Sequence, residues 1–254
     1  MIAKKESDIE NLRAGGKILS EVLREVATSV KPGVTTAALD LLAEQLIRRA
    51  GAVPAFLNYK PSGASYPYPA VLCVSINDEV VHGIPSEARV LEEGDIITCD
   101  LGLSLNGLFV DSAVSVCVGE SDVQTEKLFA GTREALAVGI KAARAGGYVG
   151  DIGAAIESVA KKYMLAVVRD LGGHALGIKP HEQPFIPNFG KVGEGEKIIE
   201  GMVLALEPIF TEGKGNIDLL PDQWTYMTRD GSRAAHFEQT ILVTKDDAEI
   251  LTPF

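Results

Sequence analysis

Five side chains with metal-binding chemistry, Asp100, Asp111, His174, Glu207 and Glu238, each interrupt a mostly apolar or glycine-rich stretch of this 254-residue chain. Carboxylates buried among apolar residues are unstable as anions unless a cation or hydrogen-bond donors compensate them. No lysine or arginine falls within the three apolar runs that carry the four carboxylates. Divalent cations would answer that charge. One imidazole and four carboxylates make an oxygen-rich donor set, suited to Co, Mn, Fe(II) or Zn. Two carboxylates shared between two ions would hold them about 3.5–4 Å apart and activate a water between them.

The clearest geometry lies in IITCDLGLSLNGLFVDSAVSV (96–116). Asn106-Gly107 is a strong hairpin signal. With those two residues as the turn, Leu105 faces Leu108 and Asp111 faces Gly102. Side chains alternate along a strand, so Asp100 shares the face of Gly102. The two aspartates become diagonal neighbours, about 7–8 Å apart at the backbone. The competing reading is a solvent-facing hairpin with two ordinary aspartates, and a one-residue slip would separate them.

His174 lies in GGHALGIKPHEQP (172–184), with His181 seven residues on. Glycine beside it permits close approach of a ligand. Taken alone, His174 reads better as an ordinary core or surface histidine. Glu207 precedes Pro208 in MVLALEPIF (202–210), and Pro208 biases it toward extended backbone. Glu238 lies in the strand-like AHFEQTILV (235–243). A lone glutamate in a strand can be an edge charge that blocks aggregation; two in otherwise apolar strands favour ligands. The remaining histidines are His82, in VVHGIP, and His236, two residues before Glu238 on the same strand face. His236 reads as structural.

The elements that must position these residues follow from pattern. Ser7-Asp8-Ile9-Glu10 resembles a capping box opening a first helix. Pro32-Gly33 ends it. A second helix is predicted over 36–50, stopped by Gly51. The loop KPSGASYPYP (60–69) precedes strands at about 71–77, 96–103 and 109–118. Helices return at about 122–144 and 150–163, and strands with turn-rich loops fill the rest. The simplest arrangement is α+β, a central antiparallel sheet flanked by helices.

Composition narrows the classes. Hydrophobic content is 46% and charged content 23%, as in an ordered globular protein. The net charge of −11 argues against nucleic-acid or acidic-membrane partners. No apolar run is long enough for a membrane span, and MIAKKESDIENL lacks a secretory core. Cys73, Cys99 and Cys117 are odd in number, without metal-finger spacing, and fit a reducing cytoplasm.

Taken in order, SINDEVVHGIP (75–85), EEGDIITCDLG (92–102), VDSA (110–113), MVLALEP (202–208) and WTYMTRDGSRAAHFEQTILVT (224–244) closely resemble the motifs of type I methionine aminopeptidases. The resemblance covers essentially the whole chain and implies a single catalytic domain over 1–254. It implies the pita-bread (creatinase/aminopeptidase) fold, two pseudo-twofold halves around a curved antiparallel sheet. It implies two divalent ions: Asp100 chelating one, His174 and Glu207 binding the other, Asp111 and Glu238 bridging. Glu207 would also accept a proton from the attacking water. His82 and His181 would hydrogen-bond the substrate amide and developing oxyanion, and Tyr68, Cys73 and Trp224 would line the methionine pocket. The implied reaction is removal of the initiator methionine from peptides and nascent proteins when the next residue is small. A cytoplasmic monomer with a transient ribosome contact is expected. Three departures stand out: Ala175 where the family usually has glycine, Pro180 where it usually has an aromatic, and a longer loop at 60–67. The 33 positions from His174 to Glu207 leave no room for the helical insertion of type II enzymes.

Two other readings compete. An X-Pro aminopeptidase or dipeptidase shares the fold but usually carries an additional amino-terminal domain. A non-catalytic pita-bread protein binding peptides or ribosomes would typically lose metal ligands, and all five are present. Metal content and paired assays on Met-Ala and Ala-Pro peptides separate the three.

Overall fold

The computed structural model describes residues 1–254. Four helices are present: α1 (Glu6–Thr28), α2 (Thr36–Arg49), α3 (Val123–Ala142) and α4 (Val149–Tyr163). Of the strands, β1 (Val53–Pro54), β2 (Leu72–Ile76), β3 (Glu79–Val81), β4 (Ile96–Leu105) and β5 (Leu108–Cys117) precede α3. After α4 come β6 (Ala166–Val167), β7 (Gly172–Ala175), β8 (Glu182–Pro187), β9 (Val203–Leu206) and β10 (Ile209–Thr211). The last are β11 (Ile217–Leu219), β12 (Tyr226–Thr228), β13 (Ala234–His236), β14 (Glu238–Val243) and β15 (Ala248–Ile250). The main sheet runs β1-β4-β5-β14-β9-β7-β8, with β2 also on β4 and β15 also on β14, and every pairing is antiparallel.

The longest ladder is the β4–β5 hairpin, and its register is the expected one. Leu105 pairs with Leu108, Gly102 with Asp111 and Asp100 with Ala113. Asn106 and Gly107 both adopt positive φ, 53° and 81°, as a two-residue hairpin turn with the twist of its strands requires. Ile97, Cys99, Leu101 and Leu103 of β4 are buried in the main core with Leu12, Leu19 and Leu23 of α1. The alternate residues, including Asp100, therefore look the other way, into the site. No helix is long and apolar enough to cross a membrane.

Two local expectations are corrected. The helix α1 starts at Glu6 with Lys5 as its N-cap and no side-chain cap, so Ser7 lies inside the helix and forms no capping box. The amides of Asp8 and Ile9 turn instead to the Lys5 carbonyl. Glu207 lies just past β9, in the break before β10, because Pro208 has no amide to continue the ladder. The second helix holds to its predicted start, capped by Thr35, whose hydroxyl accepts from the Ala38 amide. Gly51 follows with φ 76°.

Candidate metal centre and substrate pocket

One cavity of about 330 Å³ gathers every site residue expected from the sequence. Asp100, Asp111, His174, Glu207 and Glu238 line it, together with His82, His181, Tyr68, Cys73 and Trp224. No lysine or arginine does.

The acidic wall is built on the sheet. Glu238 opens β14 and pairs with Ala113, which also pairs with Asp100. Hydroxyls stitch β5 to the strands beyond it. Thr240 Oγ1 accepts from the Asp111 amide at 2.9 Å and donates to the Asp111 carbonyl at 2.7 Å. Ser112 Oγ donates to the Glu238 carbonyl at 2.8 Å. The Asn188 amide donates to the Glu207 carbonyl at 2.9 Å, fixing the residue that leaves the strand. His174 Nδ1 lies 3.0 Å from the Ala175 carbonyl, a contact that as a donor turns Nε2 toward Glu207 Oε1, 3.8 Å away.

Asp111, His174 and Glu238 offer ligand atoms all within 4.8 Å of one another. Burial pushes the carboxyls of Asp100, Glu207 and Glu238 well above the usual carboxylate range, and their mutual repulsion adds to it. Burial raises Asp111 to about 7. Burial likewise holds His174 near 3, so its imidazole is neutral and free to donate a lone pair. Asp100 Oδ1 is buried without a hydrogen-bond partner. An orphaned carboxylate oxygen, a cluster of repelling acids and an oriented neutral imidazole are the features a divalent cation would satisfy.

The opposite wall comes mostly from loops, with Cys73 supplied by β2. Tyr68, Cys73 and Trp224 form a small buried cluster with Ala55, Phe56 and Ala70. Cys73 pairs with Asp100 across β2 and β4, and burial together with that charge pushes its thiol up, so it stays protonated. Tyr68 Oη donates to the Gly83 carbonyl at 2.9 Å, and its ring meets Trp224 edge-on at 5.1 Å. Trp224 is held by its amide's bond to Asp222 Oδ1 at 3.0 Å. His82 follows β3 with φ 60°, a left-handed conformation uncommon for a residue with a side chain and often found at working sites. His181 sits in a turn organised by Glu182, whose Oε1 accepts from the amides of Ile178 and Lys179, both at 2.8 Å. Burial lowers both histidines, His82 to about 4, with the neighbouring His181 contributing there.

Several lining residues were not read from the sequence: Phe56, Tyr59, Pro61, Val81 and His236. Tyr59 stacks on His181 at 5.2 Å. The 60–67 loop brings Pro61 to the cavity and Tyr66 edge-on to Trp224 at 6.3 Å. Aromatic residues within a Pro/Gly/Ser-rich loop were the available signal. His236, read as structural, faces the acids: its Nε2 lies 3.6 Å from Glu207 Oε2 and 3.7 Å from Glu238 Oε2.

Comparison with known proteins agrees with this geometry. Residues 10–245 match metallopeptidase family M24. A methionine aminopeptidase of Aquifex aeolicus is 43% identical, over 97% of this chain and 96% of its own length. The crystal structure of methionine aminopeptidase from Thermotoga maritima superposes with a TM-score of 0.94 at 40% identity, each chain fully covered. A prolidase of Pyrococcus furiosus shares the fold at 20% identity with a TM-score of 0.74, this chain covering 66% of that one. The architecture is the pita-bread fold of these enzymes. With the ligand-type residues in one cavity and relatives matched end to end, the chain belongs to metallopeptidase family M24, among its methionine aminopeptidases.

Proposed function

We propose that this chain removes the amino-terminal methionine from peptides and nascent proteins, as a metal-dependent hydrolase acting as one catalytic unit over 1–254. The observation that carries the reading is the pairing of two walls in one cavity. Buried acids without a lysine or arginine among them face an apolar slot of Tyr68, Cys73 and Trp224.

Asp100 would hold one divalent ion and His174 with Glu207 a second, Asp111 and Glu238 being shared between them. Bound ions, drawn from Co, Mn, Fe(II) or Zn, would supply an activated water and polarise the scissile carbonyl. The chain's own residues do the rest. The aromatic and thiol slot takes the flexible, polarisable methionine side chain. Glu207 would accept the proton of the attacking water and return it to the departing amine. His82 and His181, kept neutral by burial, each donate one N–H, to the substrate amide and to the developing oxyanion. The residue after methionine must pass this crowded histidine wall, which favours Gly, Ala or Ser there.

The prolidase-like alternative is weaker, since those relatives share about 20% identity and the methionine aminopeptidases about 40%. The unpaired thiols fit a reducing, cytoplasmic setting, and a monomer that meets nascent chains through a transient ribosome contact is what the resemblance implies. The test is metal analysis of purified protein alongside Met-Ala, Met-Ile and Ala-Pro peptides. Methionine release from Met-Ala with bound divalent metal is expected. Release of alanine from Ala-Pro, or no turnover with any of the four metals, would overturn the reading.

A further inference from the structure

His236 is 2% exposed, and neither of its ring nitrogens has a hydrogen-bond partner. Buried polar groups in native proteins are nearly always paired, and an unmade bond is destabilising. Only four buried side-chain polar atoms in the protein lack a partner: both nitrogens of His236, Asp100 Oδ1 and Thr211 Oγ1. Three of the four therefore belong to residues of the acidic cavity.

The ring is not loosely placed. The His236 amide donates to Ser115 Oγ at 2.9 Å, and Ser115 Oγ donates back to the His236 carbonyl at 2.9 Å. So anchored, Nε2 stands 3.6 Å from Glu207 Oε2 and 3.7 Å from Glu238 Oε2. Those separations are too long for hydrogen bonds. Each, taken as a pair, suits neighbouring donors on one ion: bonds of about 2.1 Å at angles of roughly 90–120° put donor atoms about 3–3.7 Å apart. His174 Nε2, a ligand in the reading above, stands 3.8 Å from Glu207 Oε1. A histidine serving only as core filling would have at least one ring nitrogen bonded to a neighbour.

We infer that His236 is a sixth donor, its Nε2 completing the coordination of an ion held by Glu207 and Glu238. The inference rests on the metal-centre reading. A second imidazole shifts the donor set from oxygen toward nitrogen and so favours Co, Zn or Fe(II) over Mn.

Metal-stripped protein reconstituted with Co(II) and observed by proton NMR tests this. A ligated imidazole gives a hyperfine-shifted, solvent-exchangeable N–H resonance. The wild type should show two, His174→Gln one and His236→Gln one. His236→Gln should also bind Co(II) at least about tenfold more weakly by calorimetry, with a smaller loss for Mn(II). A single such resonance in the wild type that survives in His236→Gln, or unchanged Co(II) affinity in that variant, overturns the assignment. If His236→Gln does not fold, the wild type and His174→Gln still decide it, because loss of the only shifted signal in His174→Gln excludes a second imidazole. No shifted imidazole signal in Co(II)-loaded wild type would instead bring down the metal-centre reading itself.

Discussion

The two walls of the cavity are built by different means. On the acidic wall, Asp100, Asp111, His174 and Glu238 lie within strands of one continuous sheet, and Glu207 sits one residue beyond β9. Their spacing is set by ladder register and by hydroxyl bonds from Thr240 and Ser112. On the recognition wall, Phe56, Tyr59, Pro61, His181 and Trp224 lie outside strands, and His82 follows one in a left-handed conformation. The segments of His181 and Trp224 are held by side-chain bonds to loop backbone, as Glu182 holds 178–182 and Asp222 holds 224–225, and 56–59 by backbone bonds within its own loop. Sheet register resists displacement, so a ligand set is safest there. Loops tolerate insertion and variation, so specificity can be altered without moving the metals.

Substitutions on the two walls should therefore separate metal binding from turnover. The largest effects belong to the acidic wall. Asp111→Asn and Glu238→Gln should each abolish methionine release and lower metal content, because an amide is neutral and a poorer ligand. Near-normal activity of either variant at saturating metal would show that these carboxylates are not shared between ions.

Next come the two recognition histidines. His82→Ala and His181→Ala should lower kcat by roughly 10²–10³-fold, the scale of losing one transition-state hydrogen-bond donor. Metal stoichiometry should stay that of the wild type. Loss of metal in either variant would move that histidine to the acidic wall.

The same division explains what the chain revealed in advance. The hairpin carrying Asp100 and Asp111 was legible to the residue, because Asn106-Gly107 permits one turn and a period of two then dictates which side chains share a face. The loop wall was not. Phe56, Tyr59 and Pro61 have no periodicity to betray them, and their loop meets residues over a hundred positions away, as Tyr59 meets His181 and as Tyr66 and Ser65 bond to Asp222 and Gln223. Tyr68, Cys73, Trp224 and the roles of both recognition histidines came from family resemblance alone. His236 was visible on the same face as Glu238, yet one histidine beside one acid carries little weight until Glu207 is brought in from another segment. The capping pattern at Ser7 failed for the opposite reason: a four-residue motif is easily matched, and the helix begins two residues earlier, with Lys5 as its N-cap.

A smaller effect is expected within the recognition wall. Tyr66 reaches Trp224 edge-on from the 60–67 loop and donates to the Asp222 carbonyl. An aromatic edge contact contributes about 0.5–1.5 kcal/mol. Tyr66→Ala should therefore raise KM for Met-Ala peptides by roughly 2- to 10-fold, with kcat and metal content little changed. A fall in kcat with KM unchanged would mean that the loop acts on the reacting groups rather than on the methionine slot.

The finest test lies where the walls touch, at Gly102. Its backbone is ordinary strand, which alanine adopts readily, so any effect of Gly102→Ala is steric. An added Cβ would stand 2.9 Å from Phe56 Cε1 and 3.1 Å from the Ala55 Cβ, closer than such atoms pack. Gly102 also pairs with Asp111 and shares its strand face with Asp100. The methyl must push either the loop or the hairpin. The hairpin is paired along ten residues on β5 and along five on β2, whereas Ala55 is tied to β4 by one amide bond to the Gly102 carbonyl, 3.0 Å long, next to the two-residue β1. The loop should yield, carrying Phe56 into the methionine slot. Overpacking of this kind destabilises by about 1–3 kcal/mol, part of it relieved by rotation of the ring. The expected result is a KM a few-fold higher, with Co(II) affinity unchanged by calorimetry. Weaker metal binding in Gly102→Ala would show that the hairpin moved instead, and that the two walls are one mechanical unit.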